Sequence, residues 1–178
     1  MHSDIDVKIA GDKPSKDVKR NLNSAQMQNN ISKTDIAKAK KFGIAVAQKF
    51  LTDTNISSSE EENNIEMIAQ RRTLLSFTAT VGFEMYSPED TLCGIAQKSF
   101  LDTVKKNDTS TYNTDDTGAF SFYYLAFRRG SEVDRRIGQT FAMLCSHDGD
   151  PIYQELGEAL YCWFLSQVKE LAEEIYSE

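Results

Sequence analysis

His147, Asp148 and Asp150 stand within four residues, in the run His147-Asp148-Gly149-Asp150. An imidazole and two carboxylates are donor types that zinc and other divalent cations take. The same run also spells a tight turn between two helices. His147 would sit at the negative end of one helix, Gly149 in a left-handed conformation, and Asp150 as N-cap of the next. The turn accounts for all four residues. A metal site needs three or four ligands, and no partner motif supplies the remainder. No cofactor is expected.

A second constellation is basic. Arg128, Arg129, Arg135 and Arg136 surround Ser131 at a predicted helix start, where free backbone N–H groups attract anions. Tyr123 and Tyr124 lie just upstream and are able to stack on a base or sugar. These seven residues make a candidate site for phosphate, a nucleotide or an acidic peptide. The plainer account is ion pairing along one helix, Glu132 with Arg135 or Arg136 at i+3 and i+4. Arg128 and Arg129 would then be met by acidic groups elsewhere.

Weaker patterns fall away on their own chemistry. Asn113 to Gly118 has the start of a calcium-binding loop, but position twelve is Tyr124, where a bidentate glutamate is required. Helix capping by Asp115, Asp116 or Thr117 explains the run. Glu84 stands among apolar neighbours, where a carboxyl can act as a general acid if it is buried. Cys93, Cys145 and Cys162 are three widely spaced thiols with neither disulfide nor metal spacing. They are expected as small buried core residues in a reducing compartment. The chain has no phosphate-binding loop, dinucleotide fingerprint, paired-histidine zinc helix or Gly-x-Ser-x-Gly elbow.

The elements that must carry these residues read as helices. One is predicted from about Thr34 to Leu51, where Gly43 and Ala47, four apart, allow a neighbouring helix to come close. A second starts near Ser59 with Glu62 as capping-box partner and runs to Tyr86. Its two apolar faces (Ile65, Ile68, Leu75, Ala79, Gly82, and Met67, Leu74, Phe77, Val81) make its second half central. A third starts with Ser87 as N-cap, Pro88 at N1 and Asp90 behind them, and ends at Lys105-Lys106. Phe120 to Phe127 favours a strand by propensity. No second convincing strand exists to pair with it, so a short buried helix is expected. A fifth helix runs from Ser131 to about Ser146. The sixth runs from Asp150 as N-cap and Pro151 at N1 to about Tyr176. One long stripe marks it: Ile152, Leu156, Leu160, Trp163, Phe164, Val168, Leu171 and Ile175.

The expected fold is therefore all-α: an irregular or orthogonal bundle of five to six helices, with the sixth as spine and an extended N-terminal arm. Residues 1–31 read as a polar, basic arm, flexible or draped. Residues 32–178 read as a single helical domain. The net charge of −7 is unevenly spread. Residues 1–50 hold ten Lys/Arg and five Asp/Glu, a balance of +5, and residues 51–178 hold ten and twenty-two, a balance of −12. An acidic body repels phosphates, so duplex binding by the body is not expected, whereas the arm could reach nucleic acid. With no apolar leader or membrane-length run, a cytoplasmic protein is expected. The leading expectation is a non-enzymatic protein–protein interaction module (an adaptor, inhibitor or immunity-type protein) that binds another protein or itself. The alternative is an enzyme or a nucleotide- or phosphate-binding protein using the arginine cluster.

Overall fold

A computed structural model describes residues 31–54, 65–107 and 117–177. Six α-helices run through them: α1 (Lys33–Thr54), α2 (Ile65–Tyr86), α3 (Asp90–Asn107), α4 (Thr117–Arg128), α5 (Val133–Leu144) and α6 (Pro151–Ser177). No strand occurs among the described residues, and the helices form an all-α bundle. None of these helices is long and apolar enough to cross a membrane. The expected arm, the Asn55–Ser59 linker and the Ser59–Glu62 capping box lie outside the described residues, apart from Ile31 of the arm.

Two apolar cores hold the bundle, and α2 serves both. Its Leu75, Ala79 and Phe83 join Phe42, Phe50, Phe100, Phe164, Val168 and Ile175 in a core shared with α1, α3 and α6. Its Leu74, Phe77 and Val81 join Tyr123, Ile137, Phe141 and Tyr161 in a second core with α4, α5 and α6. A helix apolar on two faces belongs at the centre. Phe42 and Phe83 meet edge to face at 5.1 Å in the first core, and Phe77 stacks on Tyr123 at 5.6 Å in the second. Thr78 is fully buried between them, and its hydroxyl donates to the Leu74 carbonyl one turn back at 2.8 Å. That bond satisfies a polar group that would otherwise cost about 1–3 kcal/mol to bury.

Gly43 does what its spacing predicts. A Cβ there would collide with the Ala96 carbonyl of α3 and stand 2.9 Å from Ser99 Cβ. Backbone therefore meets backbone at the α1–α3 crossing. A second close crossing was not foreseen. Gly138 of α5 faces the Gln154 carbonyl of α6, and Gly157 of α6 faces the Phe141 side chain of α5. The two helices notch into each other.

Two expected boundaries change, and one expected helix is less buried than its composition implies. Helix α3 begins at Asp90, not at Pro88. The Ser87 N–H still donates to Phe83 of α2 at 3.1 Å, and the first α3 bond runs from Cys93 N–H to the Glu89 carbonyl at 2.9 Å. Ser87 is held by the tail of α2, and its hydroxyl lies beside Cys93 and Tyr176 instead of capping. Helix α5 begins at Val133, with Glu132 in a left-handed conformation (φ 49°) and no side-chain cap. Phe120 to Phe127 is helical as expected, but only one side of it is buried. Phe122, Tyr124 and Leu125 are 49%, 41% and 58% exposed, so α4 lies at the periphery.

Candidate functional site

The arginine cluster disperses in three dimensions. Tyr123 is wholly buried against Phe77 and does not reach the surface. Arg128 lies 5.2 Å above the Tyr124 ring, a cation–π pair at the end of α4. Arg135 pairs with Glu132 at 3.5 Å along α5. Arg136 folds back to donate to the Ser131 carbonyl and, at 3.3 Å, to its hydroxyl. Arg129 is exposed on its own helix end. The Arg135 N–H at the start of α5 already donates to the Asp134 carboxylate at 3.1 Å. The structure brings Tyr124 and Arg128 together but does not gather the seven residues around one void. The helix start they flank carries Glu132 and Asp134, two negative groups where an anion would have to enter.

The His147 run is a turn. The His147 N–H donates to the Ala142 carbonyl at 2.9 Å and the Ser146 N–H to Met143 at 3.1 Å. This paired closure is the Schellman motif of a helix end. The left-handed residue it needs is Ser146 (φ 60°), and Gly149 (φ 79°) supplies a second. Asp150 then caps α6, its Oδ1 accepting the Ile152 N–H at 2.9 Å. His147 stacks on Tyr153 at 3.8 Å, and its Nδ1–H donates to the Cys145 carbonyl at 2.6 Å. Among the described residues, no three His, Cys, Asp or Glu side chains converge on a point where a metal could sit. Because a glycine adopts φ 60° without steric cost and only the exposed bond from the Ser146 hydroxyl to Glu66 at 3.1 Å is lost, Ser146→Gly is expected to stabilise the fold by about 0.5 kcal/mol. A melting temperature raised by about 2 °C would show it.

The remaining candidates carry little chemistry. In the calcium-like run, residues 113–116 lie outside the described residues. Gly118 and Tyr124 belong to α4, so a twelve-residue loop from Asn113 cannot form. Glu84 is exposed and has no apolar pocket. Cys145 is buried, Cys93 half-buried, and Cys162, against expectation, exposed. Burial is the largest cause holding all three thiols above their ordinary range, Cys145 at about 11, so none is an activated nucleophile. Sequence reading missed Asp53, a buried acid at the end of α1. Burial pushes its carboxyl up, against the downward pull of Lys49 and Arg71. The signal for it was an acid at the negative end of a helix dipole, which needs some compensation.

The feature that caps and turns leave unexplained is a face of α6. The stripe expected there divides in two. Phe164, Val168 and Ile175 point into the cores, together with Tyr161, which the expected stripe did not include. Ile152, Leu156 and Trp163 do not: they are 73%, 37% and 39% exposed, and Ala159 between them is exposed as well. These four recur at spacings of four, three and four, so at 100° per residue they form one straight line. It lies on the side opposite the buried line. Lys49 of α1 reaches over the Trp163 ring at 5.6 Å. Past Trp163 the line turns polar. Ser166 and Gln167 both donate to the Glu170 carboxylate at 3.3 Å. There α1 and α6 enclose an open groove lined by Gln48, Lys49, Thr52, Glu170, Leu171 and Glu174.

Compared with family models, curated proteins and solved structures, the chain matches none.

Proposed function

We propose that this chain is a helical protein–protein interaction module, of the adaptor, inhibitor or immunity type, that acts by binding and not by catalysis. The observation that carries this reading is the exposed seam Ile152–Leu156–Ala159–Trp163. Folding leaves Ile152 mostly in water and Leu156 and Trp163 partly so, although full burial of such a side chain is worth about 1.5–3 kcal/mol. Contiguous apolar surface of this kind marks an interaction site. The spacing identifies the shape that fits. A 4-3-4 seam is what one helix presents to another, as in knobs-into-holes packing. Trp163 at its end is the residue type most enriched among interface anchors.

A selection from displayed helical peptides tests this reading. The intact chain should enrich peptides with apolar residues at alternating spacings of three and four. Those peptides should lose binding to the Ile152→Asp, Leu156→Asp double variant, whose melting temperature should stay within a few degrees of the parent. Selection that enriches nothing over the double variant would sink the proposal.

A further inference from the structure

Building on the interaction-module reading, we infer that the occupant of the seam is a basic amphipathic helix of another protein. Its apolar residues seat on Ile152, Leu156, Ala159 and Trp163, and its lysines or arginines reach Glu170 and Glu174 in the α1–α6 groove. The seam alone would accept any apolar helix. What selects among them is charge. Helix α6 carries five glutamates, Glu155, Glu158, Glu170, Glu173 and Glu174, against one lysine, Lys169. That lysine is already paired with Glu173 at 3.7 Å. On the flank shared with α5, Asp134 and Glu158 are close enough to Cys162, the neighbour of Trp163, to add to what burial does in raising its thiol. Among the residues lining the groove the cation is Lys49, which is spread over the Trp163 ring. In the groove, Glu170 accepts from two neutral donors among the described residues, Ser166 and Gln167. A cationic partner adds charge-assisted bonds there, and an acidic one meets repulsion.

A second copy of this chain is a poorer occupant by the same measure. Two α6 faces brought together would oppose five glutamates and one lysine to the same set. Length also defines the partner. Ile152 to Glu174 spans about 33 Å at about 1.5 Å per residue. A helix of about 20 residues therefore covers both the seam and the groove.

Trp163 is the sole tryptophan of the chain, so its emission reports the seam directly. Two synthetic peptides of about 20 residues serve as probes, both with leucines at alternating spacings of four and three. One carries lysines at the flanking positions and the other glutamates. The full chain should bind the lysine peptide with a Kd of about 1–10 µM and a blue shift of Trp163 emission. The glutamate peptide should bind at least about tenfold more weakly. Glu170→Lys with Glu174→Lys should cut lysine-peptide affinity about tenfold and narrow the gap between peptides. Leu125→Asp, on the exposed side of α4, should change nothing. Equal or tighter binding of the glutamate peptide overturns the inference and leaves the interaction reading standing. So does silence of Trp163 toward both peptides while the displayed-peptide selection succeeds; silence in both experiments removes both. Light scattering that finds a dimer of the free chain, dissociated by Leu156→Asp, would put a second copy on the seam instead.

Discussion

Gly43→Ala is expected to cost this protein about 3 kcal/mol, although it adds one methyl group to a residue that ordinarily gains from the change. Alanine is the better helix former by about 1 kcal/mol. At position 43 the methyl would meet the Ala96 carbonyl and, at 2.9 Å, Ser99 Cβ. A flexible side chain could swing aside; a backbone carbonyl inside α3 cannot. The helices must separate, and the contacts of Phe42, Val46 and Ala47 with α3 and α6 loosen together. Overpacking of this kind costs about 1–3 kcal/mol and sometimes more. Gly94→Ala is the internal control. Gly94 also lies in a helix, but nothing stands within 4 Å of a Cβ there. It should stabilise by about 0.5–1 kcal/mol. Denaturant unfolding of the two variants should give shifts of opposite sign. A Gly43→Ala variant as stable as the parent would mean that the α1–α3 crossing is looser than described.

Phe164→Ala should be at least as damaging, at about 3–5 kcal/mol. Its ring is fully buried in the core that joins α1, α2, α3 and α6. Truncation removes the burial of the ring and leaves a cavity whose walls are helices pinned at their own crossings. Its neighbour Trp163 is the informative comparison. Trp163→Ala deletes a larger side chain, yet that side chain is 39% exposed, and the Lys49 contact over its ring is worth about 0.5–1 kcal/mol at such a site. Trp163→Ala should therefore cost much less stability than Phe164→Ala while removing a binding anchor. Unfolding midpoints separate the two. Equal losses would mean that the seam is part of the core, and the proposed docking surface would fall with it.

Much of the bundle can be read from the residues. Asp150-Pro151 announces the start of α6 by cap chemistry alone, and the two apolar faces of α2 announce its central place. Helicity of Phe120 to Phe127 followed from the want of a strand to pair with. What could not be read is which apolar residues end up covered. Periodicity reports that Ile152, Leu156 and Trp163 share one line of α6 and Phe164 and Val168 another, all of them apolar. Only the positions of α1, α2 and α5 decide that Phe164 and Val168 are sealed and Ile152 is not. The outer side of α4 is hidden from sequence for the same reason. Tyr123 and Tyr124 are adjacent and identical, yet a 100° turn sends one into the core and the other to Arg128. Ser87 and Ser131 are sound cap residues by type. Neither caps, because the end of α2 holds the Ser87 N–H and Arg136 donates to the Ser131 hydroxyl. The arginines looked like a site because their spacing was seen without their partners.

The antiparallel pair α5–α6, closed by the six-residue turn Cys145–Asp150 and notched at Gly138 and Gly157, has a bearing on synthesis. It is the most local packed unit of the bundle, and closing so short a loop costs little chain entropy. Its α6 is also the last of the six helices to leave a ribosome. Helices α1 to α3 emerge first, with Phe42, Phe50, Phe83 and Phe100 ready for a core that lacks its spine. Phe164, Val168 and Ile175 must be translated before that core can seal. Until then the nascent chain carries its aromatic surface in the open, where it invites aggregation or a chaperone. Folding of this domain is thus bound to the end of translation of α6, and a ribosome stalled anywhere before Phe164 would hold a chain unable to fold.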